Sequence, residues 1–275
     1  MIIGVCSDKG APGVTTLATA LALAWEGTAI LLEADPSGAD LVFRLHRPEE
    51  EFLASEPSVR SLALAARSGD VGGDLARFTQ STSLGVSVIA GQAQAEDWAP
   101  VRGLWPQVAG EVAAWPGPVI ADLGRLQPGH PGVALAQAVE VMLLMSDPTV
   151  EGLFHVRART EELARLLGGR PRNPVGVVVR AGQKKHKRVV DDVTQLLQTV
   201  GSPVPVAGWV ADDPGGVAAL LAGADTAHLR RSALMRSVVD LIARIHRTWP
   251  DTAVAAGTVD PAHWGATFTH PEGAS

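Results

Sequence analysis

The sequence of 275 residues is poor in cysteine, has no long hydrophobic run and carries no excess of positive charge. Because Cys6 is the only cysteine, one chain cannot build a disulfide framework or a cysteine-based metal cluster, which indicates a reducing environment. The apolar stretch at residues 17–24 is too short for a membrane span, which needs about 20 apolar residues. No basic region precedes an apolar segment at residues 1–5, so we expect no secretion signal there.

The charge balance limits what the surface as a whole can bind. A formal net charge of −6 argues against a protein that grips nucleic acid over its whole surface, although a local basic patch is compatible with it. The hydrophobic content of 46% is enough for a large buried core. We expect a cytoplasmic protein, with peripheral contact to the nucleoid or to a membrane left open.

Residues 5–16, VCSDKGAPGVTT, join a short apolar run to a long alanine-rich one. This order predicts a buried strand, a phosphate-binding loop and a helix, because glycines let the backbone approach an anion and the amides at a helix start point at it. The common phosphate loop reads G-x-x-x-x-G-K-[ST]. Gly13 and Thr15 match it, whereas Asp8 takes the place of the first glycine and Val14 that of the lysine.

Lys9 strengthens this interpretation. The pattern K-G-x-x-G-x-T-T, which begins at Lys9, resembles the deviant Walker A box of the ParA/MinD family of dimeric ATPases. The resemblance implies that Lys9 reaches across a homodimer to the partner's nucleotide. It also implies that ATP is contacted by the loop residues Lys9, Gly10, Ala11, Pro12, Gly13, Val14, Thr15 and Thr16. The alternative is an ordinary strand-to-helix turn, in which the glycines only reverse the chain.

A second candidate site residue, Asp35, follows the strand predicted at residues 28–32. A carboxylate at the carboxyl end of a parallel strand lies where open α/β sheets bind ligands. The ParA/MinD family reads D-x-D-P-Q-G-N here, and the resemblance implies that Asp35 orients the water that attacks the γ-phosphate. Glu33 replaces the first acid of that motif. The alternative is a simple β-turn over residues 35–38.

Residues 118–124 predict another strand, and it ends in Asp122. Apolar residues followed by an aspartate form the Walker B arrangement, in which the carboxylate holds Mg²⁺, usually through water, beside the hydroxyl of the phosphate loop. The predicted metal site therefore comprises Thr15, Asp35 and Asp122. The residues Leu123, Gly124 and Arg125 depart from those that usually follow in the family.

Two later strands, predicted at residues 175–179 and 204–210, end at Arg180 and close to Asp212. In the family these strand ends frame the adenine, usually with an asparagine near the position of Arg180. The resemblance therefore implies that Arg180 and Asp212 contact the base. A helix predicted to end near residue 167 is expected to expose Arg159 on its solvated side.

The densest run of positive charge comprises Lys184, Lys185, Lys187 and Arg188. It precedes a helix predicted at residues 189–200, where the helix dipole disfavours positive charge. A cluster that costs stability suggests a functional contact with DNA, an acidic membrane or an acidic partner. The alternative is a solvated charged face.

Strands alternate with helices along the chain, which predicts an α/β fold with a doubly wound, mainly parallel sheet and helices on both faces, like a P-loop NTPase. Helices are predicted at residues 97–114 and 233–249, and a strand at residues 138–145. The tryptophans Trp98, Trp105 and Trp115 are predicted to pack in the core. We expect one ATPase-like domain at residues 1–249 and a disordered tail at residues 250–275.

The resemblance implies an ATP-dependent dimeric switch that positions cellular cargo, such as a chromosome, a plasmid or the division or secretion machinery, with an unidentified protein partner. Val14 removes a charge-assisted contact of about 1.5–3 kcal/mol, so we expect ATP to bind and hydrolysis to be slow or absent. The alternative is a pseudo-ATPase scaffold that needs no nucleotide. A related biosynthetic ligase is a third interpretation, although no residue marks a substrate pocket.

Overall fold

The structure is a computed structural model. It describes residues 1–8, 13–27, 29–37, 39–49, 51–127, 129–167, 175–202, 204–223 and 226–250. Four residues of the predicted phosphate loop lie outside the described residues: Lys9, Gly10, Ala11 and Pro12. The tail was predicted at residues 250–275, and all of it except residue 250 also lies outside the described residues.

One eight-stranded sheet forms the centre of the molecule. Its strands are β1 (Ile2–Ser7), β2 (Ile30–Glu33), β3 (Gln80–Ser81), β4 (Ser87–Ile89), β5 (Val119–Arg125), β6 (Val141–Ser146), β7 (Val175–Ala181) and β8 (Val206–Ala211). They lie in the order β3-β4-β2-β5-β1-β6-β7-β8, and only the short β3 runs antiparallel to its neighbour. The mainly parallel sheet predicted from the sequence is confirmed.

Ten α-helices surround the sheet in the described part of the chain. They are α1 (Val14–Ala24), α2 (Leu41–Arg44), α3 (Val59–Ser68), α4 (Trp105–Ala114), α5 (Val133–Ala138), α6 (Val150–Leu166), α7 (His186–Thr199), α8 (Pro214–Ala222), α9 (Thr226–Arg231) and α10 (Ala233–Thr248). One apolar core lies between the sheet and α3 to α7, and a second lies between the sheet and the other five helices. Helices therefore cover both faces, as predicted.

Burial on both faces explains the apolar character of the central strands. All six residues of β1 are buried, and so are all six of β6, because helices pack on either side of a parallel sheet. Burial also raises the pKa of the Cys6 thiol in β1 to about 12, which keeps it in the unreactive neutral form. None of the described helices is long and apolar enough to cross a membrane.

The tryptophan prediction is confirmed in the core between the sheet and helices α3 to α7. The rings of Trp98 and Trp105 stack with their centroids 5.9 Å apart, and both side chains are buried. The indole N–H of Trp98 donates to the carbonyl of Gln92 at 2.9 Å. Trp115 packs partly buried against the same core. These rings therefore act in packing.

Three predicted boundaries differ from the structure by three residues or more. The helix predicted at residues 97–114 begins only at Trp105, after 3₁₀ turns at Ala95–Trp98 and Arg102–Leu104. Pro100 lacks the N–H that a continuous helix needs there. The strand predicted from residue 138 begins at Val141, because residues up to 138 belong to α5. Helix α7 begins at His186, three residues before the predicted start.

Candidate functional site

The candidate site lies at the carboxyl edge of the sheet, where β1 ends and α1 begins. Gly13 precedes α1 with φ of 101°, a left-handed conformation that favours glycine over other residues. No side chain of the described residues caps the start of α1. Its first amides are therefore available to an anion, as the phosphate-loop interpretation requires.

Val14 contributes no polar group to the candidate site. Its side chain is 6% exposed and packs in the apolar core on the α1 face of the sheet. Thr15 and Thr16, the next two residues of α1, are only partly buried. The helix therefore presents hydroxyls near its start and no cation at the position where the common phosphate loop has lysine.

Asp122 provides a buried carboxylate beside the start of α1. Its side chain is fully buried in the middle of β5, which continues to Arg125, and Asp122 pairs with Glu33 at the carboxyl end of β2. Oδ1 accepts a hydrogen bond from the N–H of Gly124 at 3.0 Å. Burial raises the pKa of Asp122 to about 6, and the Thr15 hydroxyl acts against this rise by favouring the charged form. Oδ2 accepts no hydrogen bond of ordinary geometry from the described residues. A buried carboxylate oxygen without a partner is suited to hold a cation.

The donor set fits Mg²⁺. Magnesium prefers oxygen ligands and is commonly held by one or two carboxylates together with waters and phosphate oxygens. Asp122 and Thr15 offer a carboxylate and a hydroxyl, and the negative charge of Asp35 is close enough to raise the pKa of Asp122. The described residues contain no group of three or more histidine, cysteine or acidic side chains that would enclose a metal without such extra ligands.

Asp35 lies against the backbone that follows Asp122. Its Oδ1 accepts a hydrogen bond from the N–H of Ser37 at 2.8 Å, so the predicted turn also forms. A Cβ atom added to Gly124, whose φ is +53°, would lie 2.1 Å from Oδ2 of Asp35. The structure therefore brings Asp35 and Asp122 together, as the sequence predicts, and Gly124 is the residue that allows the close approach.

Glu33 is a site residue that the sequence interpretation did not single out. Its carboxylate is buried and accepts hydrogen bonds from the N–H groups of Leu41 and Gly91, both at 3.0 Å. Burial raises the pKa of Glu33 to about 8. Glu33 thus joins the end of β2 to the start of α2 and to the loop after β4.

Arg180 and Asp212, predicted to contact a nucleotide base, lie close to each other. The Nε of Arg180 lies 2.7 Å from Oδ1 of Asp147, and its Nη1 lies 3.6 Å from Oδ1 of Asp212. The pKa of Arg180 is raised mainly by its hydrogen bond to Asp147. This ion-pair chain links the ends of β6, β7 and β8, and Asp147 is a member of it that was not predicted.

Asp8 is held by α6. Its Oδ1 accepts a hydrogen bond from Nε of Arg159 at 2.8 Å, and its Oδ2 lies 2.9 Å from Nδ1 of His155. The expectation that Arg159 is solvated is wrong, because the side chain is buried against Asp8. No local sequence pattern could reveal this pair, since its members are 151 residues apart.

The basic residues Lys184, Lys185, Lys187 and Arg188 are all exposed. Lys187 and Arg188 lie in the first turn of α7, which contains no acidic residue to balance the helix dipole. Arg188 lies 3.6 Å from Asp192 one turn later, between two highly exposed side chains. The run remains available to an external anionic surface.

The eight-stranded, mainly parallel sheet with helices on both faces matches the fold of the ParA/MinD P-loop NTPases. The structure is similar to a ParA family ATPase from Chlorobium tepidum, with a TM-score of 0.68, 17% identity, and 89% of this chain and 98% of that chain covered.

Two further solved structures are similar over nearly their whole length. The septum site-determining protein MinD from Pyrococcus horikoshii, complexed with Mg-ADP, has a TM-score of 0.64 at 17% identity, with 94% of this chain and 99% of that chain covered. A variant of McdA from Cyanothece, in complex with ATP, has a TM-score of 0.62 at 15% identity, with coverage of 94% and 98%. At such identities the likeness establishes the fold. No protein-family model and no curated protein matches the sequence.

Proposed function

We propose that this chain binds ATP and Mg²⁺ and acts as a dimeric, nucleotide-dependent switch that positions cellular cargo, with weak or absent intrinsic hydrolysis. The observation that carries the proposal is the fully buried carboxylate of Asp122, whose Oδ2 has no partner among the described residues, next to the hydroxyl of Thr15. Burying a carboxylate oxygen that accepts no hydrogen bond of ordinary geometry is costly, and a bound cation would offset that cost.

The residues have separate roles in this proposal. Thr15 and Asp122 hold Mg²⁺, which neutralises phosphate charge, and the amides at the start of α1 bind the phosphate oxygens. Asp35, fixed beside Asp122 by the turn to Ser37, orients a water molecule. Arg180 and Asp212 border the base at the ends of β7 and β8. Lys9, which lies outside the described residues, contacts the partner's nucleotide in the dimer.

Slow turnover follows from the burial of Val14. The usual lysine stabilises the charge that develops on the phosphates in the transition state, and Val14 is in the apolar core instead. The backbone amides and the metal site still favour binding of the ground state. In this proposal, ATP binding changes the state of the switch, and any hydrolysis depends on a protein partner.

We expect ATP·Mg²⁺ to bind with a Kd of about 0.1–0.2 mM, because losing the lysine removes about 3 kcal/mol from a typical micromolar site. Titration calorimetry of the purified protein with ATP·Mg²⁺ and ADP·Mg²⁺ measures this, and light scattering follows the mass. ATP should produce a dimer in the wild type and a monomer in the Lys9→Ala variant. The absence of binding at millimolar nucleotide would contradict the proposal.

A pseudo-ATPase scaffold is the second candidate function, and two observations favour it. Val14 is packed in the core, and Asp8 puts a carboxylate where the phosphate loop usually has glycine. A scaffold would keep the same oligomeric state with and without nucleotide. The same calorimetry and light-scattering experiment therefore separates the two functions.

We also propose that the exposed residues Lys184, Lys185, Lys187 and Arg188 bind a polyanionic surface, either DNA or an acidic membrane. Replacing all four by glutamine is expected to lower the slope of log K against log salt for DNA binding by about 3–4, since each phosphate contact contributes about 0.9. Fluorescence anisotropy with a labelled duplex at several salt concentrations measures the slope.

A matched control replaces four exposed arginines elsewhere in the chain, Arg60, Arg67, Arg77 and Arg102, by glutamine. This control changes the net charge equally and is expected to leave the slope nearly unchanged. DNA binding that is unaffected by the four substitutions in the basic run would refute the DNA contact. Sedimentation with anionic vesicles then tests the membrane alternative directly.

A further inference from the structure

We infer that Arg159 is a positioning residue for the phosphate loop, and that it acts by pairing with Asp8 so that the carboxylate does not repel a bound phosphate. This inference rests on the proposed nucleotide site. It concerns the one residue of the loop whose charge is of the wrong sign for binding an anion. Asp8 directly follows the last residue of β1 and stands where the common phosphate loop has its first glycine.

The pair has the geometry of a built contact. The guanidinium of Arg159 donates from Nε to Oδ1 of Asp8 at 2.8 Å and also pairs with it through Nη2. Its Nη1 donates to Oε2 of Glu162 at 2.8 Å, which fixes the guanidinium from the other side. His155, one turn earlier on α6, lies 2.9 Å from the second oxygen of Asp8. Both oxygens of the Asp8 carboxylate are thus directed at α6.

Burial makes this arrangement stronger than a surface ion pair. The side chains of Arg159 and Asp8 are 9% and 16% exposed, so water screens their attraction little. Removing only the arginine would leave a poorly solvated carboxylate directly after β1, and a buried charge that loses its main partner is strongly unfavourable. Removing both charges would also remove the carboxylate that could repel a phosphate.

The consequence for nucleotide binding is electrostatic. Phosphates bound at the start of α1 would approach the residues that follow β1. Asp8 is the first of these residues, and its carboxylate would repel the phosphates if it were unpaired. Arg159 neutralises that charge. The pair also connects Asp8, at the beginning of the loop, to α6, the helix that follows β6 in the chain. An acidic residue is therefore compatible with anion binding at this position only while Arg159 is present.

A double-mutant cycle tests the inference. Arg159→Ala is expected to weaken ATP·Mg²⁺ binding about tenfold, because it exposes the phosphates to an uncompensated charge. Asp8→Asn alone, and Asp8→Asn combined with Arg159→Ala, are expected to stay within about threefold of the wild type. Arg157→Ala removes an exposed arginine from the same helix and serves as the matched control. Titration calorimetry gives the affinities.

Rescue by the second substitution separates positioning from simple support of the fold. If the double variant binds no better than Arg159→Ala, the electrostatic role is refuted. Should Arg159→Ala fail to fold, Arg159→Gln takes its place in the cycle, because it also removes the charge but keeps more of the side chain, with the same expected weakening of about tenfold.

A second measurement needs no nucleotide. Hydrogen exchange of peptides covering residues 6–16 is expected to be faster in Arg159→Ala than in the wild type and in Arg157→Ala. If the wild type binds no nucleotide at millimolar concentration, the proposed function fails, and the exchange rates alone decide whether Arg159 positions the loop. Unchanged exchange in Arg159→Ala would then overturn the inference as well.

Discussion

Asp122→Asn is expected to stabilise the nucleotide-free protein at pH 7.5 and to remove its Mg²⁺-dependent binding of ATP. Burial raises the pKa of Asp122 from 3.8 to about 6, so keeping its charge at pH 7.5 costs about 3 kcal/mol of folding free energy. Asparagine is uncharged and avoids this cost. Imperfect hydrogen bonding of its amide offsets about 1–2 kcal/mol of the resulting gain in stability. We expect a net stabilisation of about 1–2 kcal/mol, measured by urea unfolding.

The same substitution removes the carboxylate that the proposal assigns to the metal. ATP binding in the presence of Mg²⁺ is expected to weaken by about 100-fold, while any binding that persists in EDTA should change little. Greater stability together with lower affinity is characteristic of a residue kept for a ligand. A variant that is both less stable and equally able to bind would contradict the assignment.

The effect of Asp122 on the free energy of unfolding depends on pH. Because the folded pKa of Asp122 lies above the unfolded value, its contribution to stability is fully present below pH 3.8 and is lost as the pH rises to about 6. Glu33, with its pKa raised from 4.5 to about 8, adds a loss that continues to about pH 8. The advantage of Asp122→Asn over the wild type should therefore vanish near pH 5, and the variant should be the less stable protein at pH 4. Asp240→Asn, an exposed acid on α10, is the control and should show no such trend.

The strand ends were predictable because their signal is local. An apolar run followed by an acid indicates a buried strand whose carboxylate emerges at the carboxyl edge, and Asp35 and Asp122 were found in this way. A parallel sheet then necessarily brings such ends together, although they lie far apart in sequence. The fold class and the pairing of these two acids follow from the same physical rule.

Glu33 and Arg159 show what a local pattern cannot reveal. The state of Glu33 depends on N–H groups that come from residues 8 and 58 positions later, and only tertiary packing supplies them. Arg159 is on a helix whose charged residues suggest a solvated side, and its partner Asp8 is 151 positions away. Burial of a polar side chain is decided by its partners, so both roles required the structure.

Gly124→Ala is expected to destabilise the protein by about 2–3 kcal/mol and to displace Asp35. Alanine at φ of +53° costs about 1–2 kcal/mol, because its Cβ crowds the neighbouring carbonyl in a left-handed conformation. The new Cβ would also lie 2.1 Å from Oδ2 and 2.8 Å from Cβ of Asp35, so that side chain must leave its position. Urea unfolding measures the first effect.

Two comparisons separate the clash with Asp35 from the backbone strain. Gly69→Ala introduces alanine at φ of +75° in open space, so it should cost only about 1–2 kcal/mol. In an Asp35→Gly background, Gly124→Ala should cost about as much as Gly69→Ala does, because the three atoms nearest to the new Cβ all belong to the Asp35 side chain and are then absent. If Gly124→Ala costs only the backbone strain with Asp35 present, then Asp35 is not held against Gly124, and its assigned place beside Asp122 is wrong.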